Sequence, residues 1–183
     1  MAIAYKKPQI PNVPAILETV RDVAVEVMHE RTREFAHTER DRFVSDVKRQ
    51  RFQSFNMYPL TTKYYKRKVA KNRDTRVMLA TGHMMRSVKV MERKDSKLRT
   101  TIHVGFERLA LARDLDNRVV YYPLYKVAMV QEKGSSKMKI PPRPHWKPHL
   151  EAMRGRALDV RKLIKKDIRS EALRRVGAPL RGR

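Results

Sequence analysis

The 183-residue chain reads as an α+β protein: a small antiparallel β-sheet packed by helices, with a long N-terminal helix and a C-terminal amphipathic helix. Three patterns predict this. Ile16, Leu17, Val20, Val23, Val27 and Met28 recur at three- and four-residue steps, which makes one apolar helix stripe. Val88 and Val90 alternate with Lys89 and Met91, and Ile102, Val104 and Phe106 alternate with Thr101 and His103, the period of two of half-buried strands. Near the end, Leu150, Met153, Ala157, Val160 or Leu163, Ile164 and Ile168 again share one helical stripe.

Each element has its own local reason. Residues 1–12 contain Pro8 and Pro11, with Pro14 close behind, too dense for helix or central strand, so they form an extended arm. Asn12 can cap the helix that follows, with Pro14 in its first turn. The stripe thins over residues 31–42, where only Phe35 and Ala36 continue it, and resumes at Phe43, Val44 and Val47. The spacing predicts one long helix, bent near His37 and Thr38, with Glu26, Glu30, Arg33 and Glu34 on its outer face. Its sparse middle predicts packing against another subunit, or else a two-part helix on its own domain.

Residues 62–72 have no strong apolar period and read as an exposed loop or short helix carrying charge. Phe52 and Phe55 are expected in the core and Tyr64 and Tyr65 in a turn; stacking of these rings on single-stranded bases is the weaker reading. Val77, Met78 and Leu79 make an apolar helical turn that Thr81-Gly82 ends, because Gly adopts the left-handed terminating conformation without a Cβ clash. The two alternating runs form a hairpin across a polar connector, residues 92–97. Residues 109–115 predict a short helix, Asp116 and Asn117 a turn, and residues 119–122 a strand. Pro123 starts a helix carrying Leu124, Val127 and Ala128, and Gly134 ends it. Residues 135–140 read as extended, and Pro141, Pro142, Pro144 and Pro148 rigidify a connector around Arg143 and the packing residue Trp146. Gly177-Ala178-Pro179 is expected to stop the last helix. The expected organisation is an arm (1–12), one α+β domain (13–176) and a basic tail (177–183).

Charge is the strongest compositional signal. The net charge is +24, and the excess is concentrated: residues 48–76 hold ten Lys/Arg against one Asp, and residues 137–183 hold fifteen against four acids. Such blocks favour polyanions, above all nucleic acid, through phosphate neutralisation and counterion release; the plainer reading is a solvated basic face that meets acidic neighbours. In the first block, Lys63, Lys66, Arg67, Lys68, Lys71, Arg73 and Arg76 are the candidates to face phosphate. Cysteine is absent, which excludes disulfides, thiol nucleophiles and Cys-ligated metals. No apolar run approaches the roughly 20 residues that span a bilayer, and the N-terminus has no signal-peptide core.

Sets that would do chemistry are weak. His145 and His149 have a metal-like spacing, but Pro148 disfavours the helix that would bring them to one face. Asp114 and Asp116 read as turn residues rather than a cation loop. No phosphate-binding Gly-rich loop, nucleophile elbow or paired acids in an apolar setting appear. No enzyme, cofactor or metal site is therefore expected, and a metal-dependent nuclease ranks last, since it would need clustered carboxylates that the cationic blocks lack.

What stands out is a series of short motifs in fixed order: Pro59 and Leu60, Lys68, Leu79 to Thr81-Gly82, Val104-Gly105, Gln131 to Gly134, and Ile140-Pro141 with Arg143-Pro144. In that order, over roughly residues 57–170, the chain resembles the virion-morphogenesis, minor tail and tail-completion proteins of tailed bacteriophages. Met84 stands where that family usually has Leu, and His145-Trp146 where it usually has an aromatic. The resemblance implies a structural subunit of a neck ring, a tail terminator or head-tail joining protein. It would be a homo-oligomer, most often a hexamer, that meets other neck, connector and tail-tube proteins in the virion and borders a lumen holding double-stranded DNA. It also implies that the loop around residues 62–76 faces that lumen or an adjoining ring. The rival is a non-enzymatic basic nucleic-acid-binding protein, which composition supports equally and the motif series does not.

Overall fold

The structure, a computed structural model, describes residues 12–57, 59–77, 83–96, 99–107, 110–113 and 119–181. The fold is α+β. Its elements are α1 (Val13–Lys48), α2 (Gln53–Met57), α3 (Thr62–Ala70), α4 (His83–Arg86), β1 (Val88–Lys94), β2 (Thr100–Phe106), β3 (Ala110–Arg113), β4 (Val119–Tyr122), α5 (Leu124–Lys133) and α6 (Trp146–Arg181). The chain divides into two compact units. One is Thr32–Leu158, and the other combines Met1–Arg31 with Asp159–Arg183.

Within the larger unit, Phe43 of α1 is the hub. Its ring meets Trp146 at 4.6 Å and His149 at 5.2 Å, both edge to face, and Phe52 and Phe106 at 6.1 Å. Val47, Phe52, Phe55, Val77, Met84, Met85, Val88, Leu124 and Ala128 complete the buried core, with Val104 and Val127 packed against it. Gln50 closes α1: it takes a left-handed conformation (φ 54°), and its side-chain amide donates to the Val47 and Val77 carbonyls while its oxygen accepts from the Val77 amide. The long helix is thereby tied to the start of the core segment.

The sheet region consists of two separate antiparallel ribbons rather than one sheet, β1 with β2 and β3 with β4. In the first ribbon Val88 lies opposite Phe106 and Val90 opposite Val104, so alternate residues turn to the core as the period of two requires. β1 runs three residues into the expected connector, as far as Lys94. Residues 110–113 form a strand where a helix is expected; the Ala-Leu-Ala run has helical propensity, but pairing with Val119–Tyr122 overrides it. Residues 135–140 close on themselves, with reciprocal hydrogen bonds between Ser135 and Ile140 at 2.8 and 2.9 Å, instead of extending.

The smaller unit holds the first part of α1 (residues 12–31) and the last part of α6 (residues 159–181), antiparallel. Asn12 caps α1 as expected, accepting from the Ala15 amide. Arg31 bridges to Asp167 at 2.8 Å and Arg175 to Glu26 at 2.8 Å, which stitches the pair at two levels. Its apolar content is thin: Val23 is fully buried, while Val13, Leu17, Met28, Leu163 and Leu173 are each more than half exposed. The final helix does not stop at Gly177; it runs through Pro179 to Arg181. Proline so close to a helix end forfeits little, because the disruption is confined to the last turn. Of the expected arm, residues 1–12, all but Asn12 lie outside the described residues, as do Leu79, Thr81 and Gly82. No described helix is long and apolar enough to cross a membrane.

Candidate nucleic-acid interface

The expected phosphate-facing segment is largely helix α3. Thr61 caps it, its hydroxyl accepting from the Tyr64 amide, and Asn72 leaves it in the left-handed region (φ 48°), which Asn tolerates better than most residues. At 3.6 residues per turn, Lys63, Lys66, Arg67 and Lys71 fall along one side of α3, and all four are exposed. Tyr64 and Tyr65 are exposed on the same short helix, whereas Phe52 and Phe55 are in the core.

Of the other three candidates, Lys68 and Arg73 are turned from solvent, and Arg76 is exposed but ion-paired. Lys68 points inward and is 1 % exposed; its ammonium donates to the Arg76 carbonyl at 2.7 Å and lies 5.5 Å from the Tyr64 ring centroid. Burial pushes its pKa down to about 8, nearby Asp74 opposes the shift and Arg143 adds to it. The expectation that Lys68 faces phosphate is therefore corrected: one helical step of about 100° from Arg67 turns it under the helix. Arg76 is held by Asp74 in a bidentate ion pair and also donates to the Lys48 carbonyl at 2.7 Å. Arg73 is half-buried.

The motif residues converge instead on a buried cation, Arg143. It is 4 % exposed; its guanidinium donates to Gln131 Oε1 and to the Pro59 carbonyl, both at 3.0 Å, and its amide donates to the Gln131 carbonyl at 2.7 Å. Next to it, Ser54 donates its hydroxyl proton to the Pro144 carbonyl at 2.6 Å. Gly134 makes the approach possible: at φ 75°, a Cβ there would sit 2.8 Å from the Ile140 oxygen and from the Pro142 nitrogen. Pro59, Gln131, Gly134, Ile140, Arg143 and Pro144 thus form one clamp, with Leu60 packed on the core and Pro141 half-buried beside it. Val104 packs on the core, while Gly105 faces open space, so no crowding demands glycine there.

Two further polar devices flank the clamp. Glu132 of α5 accepts from the amides of His145 (2.8 Å), Trp146 (2.9 Å) and Lys147 (3.1 Å), capping α6 from another element. Burial would raise its pKa, but those amides hold it below the usual carboxylate range. Glu39, fully buried on α1, receives Arg156 at 2.8 Å and Arg42 at 2.8 Å, with His149 Nε2 3.6 Å away. Burial pushes it up, and hydrogen bonds and charge from Arg156 and Arg42 outweigh that to hold it low. The sparse middle of α1 is filled by this acid, which shares a side of the helix with Ala36 and Phe43.

His145 and His149 do reach one helix start, because Pro148 sits in the first turn of α6, where a missing amide is harmless. Both rings are buried against Phe43, His145 donating from Nδ1 to the Arg143 carbonyl at 2.7 Å. Burial lowers the pKa of each, so both pack as neutral rings. Among the described residues no group of three or more metal-ligating side chains comes together. Sequence patterns gave no warning of the Glu132 cap or the Glu39 pair; the one available signal was an acid on the buried stripe of α1 at position 39. Comparison with protein-family models, with curated proteins and with solved structures finds no match for this chain.

Proposed function

We propose that the chain is a structural subunit of a tailed-bacteriophage neck ring, joining head to tail or completing the tail, and bordering a DNA-filled channel. The observation that carries this reading is the ordered motif series, of whose described members Pro59, Gln131, Gly134, Ile140, Arg143 and Pro144 meet in one clamp, while Leu60 and Val104 pack on the core. Motifs that serve one structural device are the kind a building block needs. The helix pair of the smaller unit supports the same reading: among its described residues, Val23 is fully buried and Val13, Leu17, Met28, Leu163 and Leu173 are more than half exposed, a surface that a neighbouring subunit would cover. Size-exclusion chromatography with light scattering, followed by negative-stain imaging, tests it. A closed ring with a mass that is an integral multiple of 21.6 kDa, six-fold in the commonest case, is the expected result. A monomer at every concentration would overturn it. In that case the alternative, a non-enzymatic basic nucleic-acid-binding protein, would be favoured by the unpaired cations of α6 described next.

A further inference from the structure

We infer that the polyanion-binding surface of this protein is the outward side of α6, carried by Arg161, Lys165, Lys166 and Arg169, and that its ligand is the phosphate backbone of duplex DNA. This rests on the DNA-bordering part of the proposed function and adds where the contact is made. These four cations remain available to a ligand. All four side chains are exposed and none forms an ion pair or side-chain hydrogen bond. Their neighbour Lys162 is linked only to Asp159, at 3.2 Å on the open surface. The acids that could neutralise the row are engaged elsewhere: Asp167 with Arg31, and Glu171 with Arg174 and Arg175.

Geometry makes these charges a line rather than a scatter. Arg161, Lys165 and Arg169 are spaced by four and so stack in one row, with Lys162 and Lys166 in the next row beside it. From 161 to 169 the helix rises about 12 Å. One DNA strand presents three or four phosphates over about that length. Like charges at four-residue spacing repel one another and mildly destabilise a helix, so a polyanion laid along the row relieves that repulsion as it binds. A lipid surface fits less well. Among the described residues of α6 the exposed leucines, Leu158, Leu163 and Leu173, are five and ten residues apart and do not build the continuous apolar face that a membrane-surface helix needs.

The test is fluorescence anisotropy of a labelled mixed-sequence duplex against the full chain over a salt series. The wild type is expected to bind with a steep salt dependence. Replacing Arg161, Lys165, Lys166 and Arg169 by Gln together is expected to weaken binding at least tenfold at low salt. It should also flatten the log–log salt slope by roughly one unit per lost phosphate contact. Lys165→Arg with Lys166→Arg keeps the charges and should keep the affinity. Lys63→Gln with Lys66→Gln, on α3, should change affinity less than the α6 set. Two results would overturn the inference: the α3 variant losing the binding while the α6 variant keeps it, or the wild type binding phosphatidylserine vesicles but not duplex. Light scattering on the same samples keeps the two readings apart, since a ring-forming α6 variant that no longer binds DNA supports both, and a monomeric wild type that binds DNA through α6 removes only the ring.

Discussion

The two basic stretches of this chain look alike in composition and differ in structure. In residues 48–76 and the neighbouring clamp, part of the positive charge is built into the fold, with Lys68 and Arg143 buried on carbonyl and amide oxygens and Arg76 held by Asp74, while Lys63, Lys66, Arg67 and Lys71 stay exposed. On α6, beyond Arg156, which turns in to Glu39, Arg161, Lys165, Lys166 and Arg169 stand on the surface while Asp167 and Glu171 are engaged elsewhere. A charge count therefore measures how much cation a segment has, while the pairing pattern decides how much of it a partner can meet. The lesson is that inward cations should govern stability and outward ones binding.

That contrast can be broken in order of effect. Arg156→Ala removes the main partner of buried Glu39, and Arg143→Ala removes the centre of the clamp; each should cost about 3 kcal/mol in urea unfolding, since an unpaired buried charge or carbonyl is left behind. If either variant unfolds with the wild type, the cations of the larger unit are not structural.

Lys68 gives a pH signature of nearly the same size. Its pKa is about 8 in the folded chain and 10.5 in the unfolded one. Between those values the unfolded chain holds more protons, so stability rises with pH through that window and this contribution is flat below it. Comparing wild type with Lys68→Met at pH 7.5 and pH 10 should show the wild type gaining up to roughly 3 kcal/mol relative to the variant. An identical pH response in both would mean that the ammonium is not buried.

The loop that delivers Arg143 supplies the next step. Gly134→Ala combines a left-handed backbone with a Cβ driven onto the Ile140 and Pro142 backbone, and should cost about 2 kcal/mol. Gly105→Ala, with open space at its Cβ, should change stability by about 0.5 kcal/mol or less. The smallest effect closes the series: the four α6 substitutions to Gln should leave the thermal midpoint within about a degree or two of wild type, because exposed, unpaired cations add little to folding.

Acid conditions probe the polar groups behind the clamp. His145 and His149 have pKa values lowered by burial, so stability falls as pH drops below the unfolded value near 6.5. Glu39 and Glu132 have values held low, so their contribution is present above 4.5 and is lost as pH falls below it.

How much of this was legible depended on whether a residue's role was local. Asn12 as a cap, Pro123 and Gly134 as the bounds of α5, and the alternation of β1 and β2 are decided by neighbours in sequence, and each is where the residues predict. Residues 110–113 depend on a partner strand, and Lys68 on what lies beneath α3; the sequence around them carries neither fact. The motif series was visible as an order, yet its convergence on Arg143 needed the fold, because Pro59 and Arg143 are joined by a side-chain hydrogen bond across most of the larger unit's chain length. For the same reason, seven equivalent-looking candidates in residues 63–76 separate into an exposed row of four, a buried lysine, a half-buried Arg73 and a paired Arg76.

Lysine acylation read by mass spectrometry, with and without a short DNA duplex at low salt, tests the division most directly, because it compares both regions in one unmodified protein. Lys165 and Lys166 should react readily and become protected by the duplex, Lys63 and Lys66 should react readily and stay reactive, and Lys68 should be protected throughout. Protection of Lys63 and Lys66 by DNA, with Lys165 and Lys166 unchanged, would contradict the account.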